Sequence, residues 1–336
     1  MKRVVNEIGS EFWDVPLTDD ENGLFDTGTQ WYVSGRSALK AILGCLSGCR
    51  TASLPYWCCE SMIKPFIDTG IGVSFYHAYR TDGQPPEPDT DCDIILLMDY
   101  FGYSSPPTAL DGYKGTVIRD TTHSLFSRDY TDADYYFGSL RKWCGVKTGG
   151  YAFSKDCTKI SEGENADPVY SSLRRKAMTW KSEYISGLHR DKGYLAIYAE
   201  AEKMLESYGI VQADPDDISD ACHIDIGFVR KRRRGNAAIL MEGLKNMLMF
   251  PTLEDTDCPI FVPVIVPDGK RDELRCLLTS AEIYCPVHWP LSRYHSPDET
   301  SMCIYNNELS LVCDQRYSAN DMDRIVETVK KFLREV

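Results

Sequence analysis

The run GSLRKWCGVKTGGYAFS (residues 138–154) sets two lysines, a tryptophan and a glycine pair between two stretches that read as strands. A primary amine in such a place is either a solvated turn residue or a nucleophile able to condense with a carbonyl. Lys142 and Lys147 are the two candidates. Upstream, VIRDTTHS (117–124) is an apolar strand that ends in Asp120, with His123 three residues on. Ligands of parallel sheets bind outside the carboxyl ends of the strands, so Asp120 stands where a buried charge is useful. A third run, SGRSAL (34–39), reads as a Ser/Gly turn opening a helix, and first-turn N–H groups form a ready site for a phosphate.

These are the parts that a pyridoxal phosphate (PLP) site requires. The phosphate needs N–H donors. The pyridine nitrogen needs a carboxylate to stay protonated, which lets the ring act as an electron sink. The aldehyde needs a lysine amine to form a Schiff base. Each residue also has an ordinary reading. His123 reads as a core histidine, Trp57 as packing, and a lysine before a glycine pair as a solvated turn. Cys144 reads as a small buried residue rather than a reactive thiol, and His288 and Trp289 as loop packing rather than substrate contacts. Arg316 and Tyr317 read either as reaching a substrate carboxylate or phosphate or, for Arg316, as a surface arginine. Tyr100 and Tyr103 flank a Phe-Gly pair at the sheet edge where a ligand would bind.

The elements that must hold these residues alternate along the chain. Residues 34–46 read as a helix, RTASLP as a strand ending at Pro55, SMIKPFIDTG as a helix closing at a glycine, and IGVSFYHAY as the next strand. DCDIILLMDYFGY carries a continuous apolar run, typical of a strand buried on both faces. GTVIRD, DADYYFGSL and GGYAFS are further strands. Strands alternating with helices over 30–155 indicate a mostly parallel α/β sheet. Residues 170–207 and 227–248 are helical in period. CPIFVPVIV, DGKRDELRCLLTSAE, IYCPVHWP and SANDMDRIVETVKKFLREV then read as strand, helix, strand and terminal helix, the last capped by Ser318 or Asn320. The expected organisation is a large domain over 1–235, with a helical connection from about 165, and a small C-terminal α/β domain over 236–336.

With 336 residues, 43% hydrophobic and 26% charged, the chain can bury a sizeable core. A net charge of −13 argues against a nucleic-acid partner, because phosphate binding needs a basic footprint. The basic run Arg230–Arg234 reads as the solvated end of a helix. No export signal and no apolar run of roughly 18 residues is present, so a cytoplasmic protein with reduced thiols and no membrane partner is expected. No CxxC occurs among the 13 cysteines, so no structural metal is expected.

On these residues the sequence resembles the DegT/DnrJ/StrS group of PLP-dependent aminotransferases. SGRSAL is similar to that family's phosphate turn, and DTTHS to its Asp-x-x-Gln/His. KWCGVKTGG is similar to its Schiff-base lysine followed by two glycines seven and eight residues later, a spacing that Lys142 meets and Lys147 does not. FVRKRRRGNAAIL, the small-domain run ending in PVHWP, and the final strand–loop–helix resemble the family more loosely. The resemblance implies a fold type I architecture: a large, mostly parallel, seven-stranded-type sheet flanked by helices, plus a small α/β domain. It implies that Lys142 holds PLP and serves as general base. Asp120 pairs with the ring nitrogen and His123 lies near the ring hydroxyl. Gly35, Arg36 and Ser37 form the phosphate turn, Ser139 assists it, and Trp57 stacks on the ring. Phe137 stands where the family has a serine five residues before the lysine, and Arg36 where it has a threonine.

The implied reaction moves an amino group from an amino acid donor to a keto acceptor, a nucleotide-linked keto-sugar in most of the family, within a homodimer. Retention of the lysine favours transamination over the family's dehydratases, in which histidine replaces it. Two other readings stay open: a PLP enzyme of another reaction type or non-sugar substrate, and a cofactor-free binding or regulatory scaffold.

Overall fold

Residues 6–25, 28–78, 86–105, 107–127, 132–295 and 299–335 are described in this computed structural model. The strands are β1 (Ile8–Gly9), β2 (Gln30–Tyr32), β3 (Thr51–Pro55), β4 (Gly72–Tyr76), β5 (Ile94–Met98), β6 (Thr116–Asp120), β7 (Tyr135–Ser139), β8 (Gly150–Ser154), β9 (Phe261–Ile265), β10 (Ile283–Tyr284) and β11 (Glu308–Val312). The helices are α1 (Gly35–Cys45), α2 (Glu60–Asp68), α3 (Pro168–Ile185), α4 (Tyr194–Ser207), α5 (Pro215–Cys222), α6 (Ile226–Gly243), α7 (Arg271–Ser280), α8 (Glu299–Asn307) and α9 (Ala319–Glu335). They form two compact units, Met1–Ser47 with Tyr135–Ile226, and Gly48–Asp134 with Gly227–Val336.

In the first unit β8 lies between two antiparallel neighbours, β2 and β7, with Tyr151 opposite both Trp31 and Gly138. Helix α1 packs on β7 and β8 and buries Ala38, Leu39, Ala41, Ile42 and Leu43. The helical period over 170–207 resolves into two helices, because Gly187 adopts a φ of 76° in the turn between α3 and α4. Each of α3 and α5 starts at an aspartate whose carboxylate accepts first-turn N–H groups, Asp167 and Asp214, followed by a proline at the first helical position. Tyr184, Tyr194 and Tyr198 close over Ala177 where α3 meets α4.

The second unit carries the parallel strands in the order β6-β5-β3-β4. Every residue of β5 is buried, as a strand covered on both faces must be. This is the α/β class expected from the alternation of strands and helices. A second, two-stranded antiparallel ladder pairs β11 with β9, Leu309 facing Val264 and Leu311 facing Val262. Helix α9 packs on α7 and buries Met322, Ile325 and Val329, at i, i+3 and i+7. Of the two expected caps Ser318 is the one used: its hydroxyl and its N–H both donate to Asp321, and its carbonyl accepts from the Met322 N–H. IYCPVHWP is strand only at Ile283–Tyr284.

The basic run is not a solvated helix end. Arg230, Arg233 and Arg234 share one face of α6 and turn onto backbone carbonyls. Arg233 is fully buried and donates to Ile260 O at 3.0 Å and Gln315 Oε1 at 2.8 Å. Arg234 donates to Asp257 O at 2.7 Å, and Arg230 to Phe126 O. Lys231 and Arg232 stay exposed. Removing Arg233 strands these acceptors, so Arg233→Ala is expected to cost about 3 kcal/mol or more, read as a lower urea midpoint.

None of the 13 cysteines, all of them among the described residues, forms a disulfide. Among the described residues no helix is long and apolar enough to cross a membrane, and no cluster of possible ligands could hold a metal ion.

Candidate active site

Two groups of residues carry the candidate chemistry, one in each unit. In the first, the start of α1 is pressed against β7 and β8 so closely that only glycine fits. A β-carbon on Gly150 would lie 2.1 Å from Ser34 O, and one on Gly35 would lie 3.2 Å from Gly138 O. A β-carbon on Gly138 would meet the Tyr151 hydroxyl at 2.2 Å. Ser34 caps the helix, taking the Ser37 N–H on its hydroxyl at 3.2 Å and the Ala38 N–H on its carbonyl at 3.0 Å. The remaining first-turn donors are the amides of Gly35 and Arg36. Ser139 stands beside them, its Cβ 3.5 Å from the place a Gly35 β-carbon would take.

The turn Leu140–Lys142 follows β7 directly. Leu140 and Trp143 are buried, the Leu140 N–H donates to Gly149 O at 2.8 Å, and Arg141 pairs with Glu202 on α4. With its neighbours pinned on three sides, the turn presents Lys142 as its exposed residue. Lys147 differs. It is 5% exposed and its ammonium lies 2.8 Å from Asp214, 3.2 Å from Asp216 and 3.9 Å from Asp217. Burial opposes ionisation of Asp214, yet bonds from Lys147, Ser171 and the Asp216 amide hold its carboxyl below the usual range. Lys147 therefore ties the loop after Lys142 to α5 and has no amine to spare for a carbonyl.

In the second unit Asp120 ends β6, 4% exposed, and accepts the Thr122 N–H at 2.8 Å. The preceding residue, Arg119, points its buried guanidinium at Asp99 (2.7 Å) and makes two bonds to Asp132. His123 is 3% exposed and takes the Phe101 N–H on Nδ1 at 3.4 Å. Its ring stacks on Trp289 (5.4 Å between centroids, 20° between planes) and meets His288 edge-on (5.4 Å, 89°). Trp57, 2% exposed, lies flat on Tyr100 at 4.7 Å and 8° and donates through Nε1 to His288 O at 2.7 Å. Tyr100 donates its hydroxyl to Trp57 O at 2.7 Å, and burial pushes its phenol well up.

No protein-family model matches this sequence, and no curated protein does. Solved structures do. CalS13, a sugar aminotransferase from Micromonospora echinospora, aligns over 98% of this chain and 100% of its own at a TM-score of 0.62 and 14% identity. PseC of Helicobacter pylori, an aminotransferase involved in the biosynthesis of pseudoaminic acid, aligns over 97% and 100% at 0.61 and 13%. A DegT DnrJ EryC1 StrS aminotransferase from Brucella abortus aligns over 90% and 85% at 0.58 and 14%. The chain has the fold of these aminotransferases.

Within this aminotransferase fold the candidate residues sort by what their side chains already touch. Gly35 and Arg36 contribute first-turn amides, Ser139 stands at the same helix end, and Lys142 is an exposed residue. The Ser37 hydroxyl is committed to the scaffold, donating to Gly209 O at 2.9 Å and accepting the Val211 N–H at 2.8 Å. The Arg36 side chain turns back to Leu205 O on α4 at 3.2 Å. His288 and Trp289 pack in the aromatic group, as the bland reading had them. Arg316 is half-buried and bound to the buried Asp314 at 2.8 Å, rather than lying free on the surface. Tyr103 stacks on Phe250, and Cys144 is a buried thiol beside Leu140 O. What the sequence missed is Glu308, fully buried on β11 and bonded to His288.

Proposed function

We propose that this protein is a PLP-dependent aminotransferase that moves an amino group from an amino acid donor to a keto acceptor, a nucleotide-linked keto-sugar. The observation that carries the reading is the glycine-walled helix end with an exposed Lys142 one short turn beyond Ser139, while Lys147 is neutralised by aspartates. Close glycine packing fixes the start of α1 on β7 and β8, and the first-turn amides of Gly35 and Arg36 are the kind of donors a phosphate needs, so the residues fit the group. The amides of Gly35 and Arg36 with the Ser139 hydroxyl would hold the phosphate, and Lys142 the aldehyde. Asp120 would keep the proton on the ring nitrogen, with His123 toward the ring hydroxyl and Trp57 toward the ring face. Bound PLP supplies an electron sink for the carbanion formed when the donor loses its Cα proton.

Lys142 Nζ would take that proton, for which it must be neutral. Asp120 is buried and accepts the Thr122 N–H, so its carboxyl is held in one place at the end of β6. A protein from Streptococcus pneumoniae solved in PLP-form and PMP-form shares this fold at a TM-score of 0.63 and 14% identity over 97% of this chain and 98% of its own, which supports the cofactor. The sugar aminotransferases named above support the acceptor class. The reading includes a cytoplasmic homodimer and a large lobe through residue 235, a position that lies within α6.

An absorbance spectrum with added PLP, before and after borohydride, followed by peptide mapping, tests it. A visible band that glutamate bleaches and that reduces to a label on Lys142 is the expected result. No band, or a label elsewhere, favours a cofactor-free scaffold. Asp120→Ala is expected to lower turnover by on the order of 10²-fold or more while leaving the Lys142 label in place.

A further inference from the structure

Behind His123 lies a closed hydrogen-bonded ring that the reaction above does not use. Glu308 and Ser310 sit two apart on β11, so their side chains share a face, and both are fully buried. Glu308 Oε2 accepts the His288 N–H at 2.8 Å, Glu308 Oε1 bonds Ser310 Oγ, and Ser310 Oγ lies 2.8 Å from His288 Nδ1. The backbone and the ring of one histidine are thus both tied to one carboxyl. We infer that Glu308, acting through Ser310, decides which ring nitrogen of His288 carries its proton, and that His288 is thereby a positioning residue for His123. The part given to His123 rests on the cofactor reading; the control of the tautomer does not.

The argument is one of donors and acceptors. A hydroxyl has one proton to give, so the bonds through Ser310 must all point the same way. With Glu308 protonated, its O–H donates to Ser310, Ser310 donates to His288 Nδ1, and the ring proton is on Nε2. With Glu308 ionised, Ser310 donates to the carboxylate, and His288 must donate from Nδ1. One proton at Glu308 therefore reverses both bonds. The His288 and His123 rings stand perpendicular with centroids 5.4 Å apart, so a change of tautomer re-aims the His288 ring dipole beside His123.

The charged and titratable groups around the ring are few among the described residues. Arg271 of α7 bonds Glu308 O at 3.2 Å, and the Cys285 thiol after β10 is pushed up to about 12 by burial. His123 faces His288, and the other packed neighbours, Phe101, Phe261 and Trp289, are apolar or neutral. Burial raises the Glu308 carboxyl to about 8, against weaker opposing pulls from Ser310, the His288 N–H and Arg271. The protonated pattern therefore holds at neutral pH and reverses as pH rises through about 8.

Long-range proton–nitrogen correlation spectra of the full chain with ¹⁵N-labelled histidine, taken without cofactor, test this. The six histidines are assigned by single replacements. Wild type is expected to move from an Nε2–H to an Nδ1–H His288 ring across that midpoint, with the His123 ring signals following it. Glu308→Gln, which copies the neutral carboxyl's donor and acceptor, is expected to hold Nε2–H throughout, and Ser310→Ala to uncouple His288 from pH. An unchanged tautomer in wild type, or the same change in Glu308→Gln or Ser310→Ala, overturns the control. A switching His288 with unmoved His123 signals overturns the positioning role. Failure to bind PLP would sink the proposed function and leave this result standing.

Discussion

Lys142→Ala is expected to lose the borohydride-fixed label and to drop transamination by at least ~10³-fold, because the covalent anchor and the general base go together. The fold should survive, since Lys142 is the exposed residue of a turn held by Leu140, Arg141 and Trp143. Lys147→Ala should behave in the opposite way. Breaking a buried pair leaves Asp214 and Asp217 without their cation, at a cost of roughly 3–5 kcal/mol. The label on Lys142 should remain in whatever fraction stays folded. Thermal melts and peptide mapping of the two variants side by side decide the matter. A label that moves to Lys147, or a Lys142→Ala protein with near-normal turnover, would refute the assignment of the amine.

Gly150→Ala carries the second large effect. Its β-carbon would sit 2.1 Å from Ser34 O and 2.9 Å from Gly35 N, both backbone atoms that no side-chain rotation can move aside. The start of α1 must shift, at roughly 2–3 kcal/mol of overpacking strain. A shift of that size misplaces the Gly35 and Arg36 amides, and PLP affinity should fall about 100-fold, which corresponds to ~2.7 kcal/mol. Gly44→Ala in the same helix is the control. Its β-carbon would meet only Ile210 Cδ1, at 3.9 Å, so it should stabilise the helix by about 0.5–1 kcal/mol and leave affinity unchanged. Equal loss of affinity in both variants would mean that helix α1 matters for stability and not as an anion cradle.

What the sequence made legible was local. Asp120 at the end of an apolar strand, the Ser/Gly helix start and the glycine pair at 149–150 are signals written within a few residues of each other. The parallel strands β3 to β6 fit the expected α/β class, although among the described residues only α2 stands between them. Lys147 could be set aside only by its spacing to the glycines; the aspartates that hold it lie about 70 residues downstream on α5. The basic run was misread for the same reason. A row of arginines looks solvated unless one knows that carbonyls of 254–260 wait beside it. Glu308 went unremarked because Glu308 and Ser310, alternating with Leu309 and Leu311, read as the outward face of a strand, and β11 has no outward face. For the basic run the partners come from distant sequence, whereas Arg316 was missed although its partner, Asp314, lies only two residues away.

The phosphate site proposed at the start of α1 is of a kind that can persist in a chain that matches no family model and still shares a fold over almost its whole length. Its donors are amides, which every residue but proline carries, and its walls are glycines that contribute only the lack of a side chain. An arginine can stand at the second position of the turn because its guanidinium leaves toward Leu205 and only its amide remains. Such a site records its function in the path of the main chain. Comparisons that read residue types see it fade with divergence, whereas comparisons that trace the chain do not.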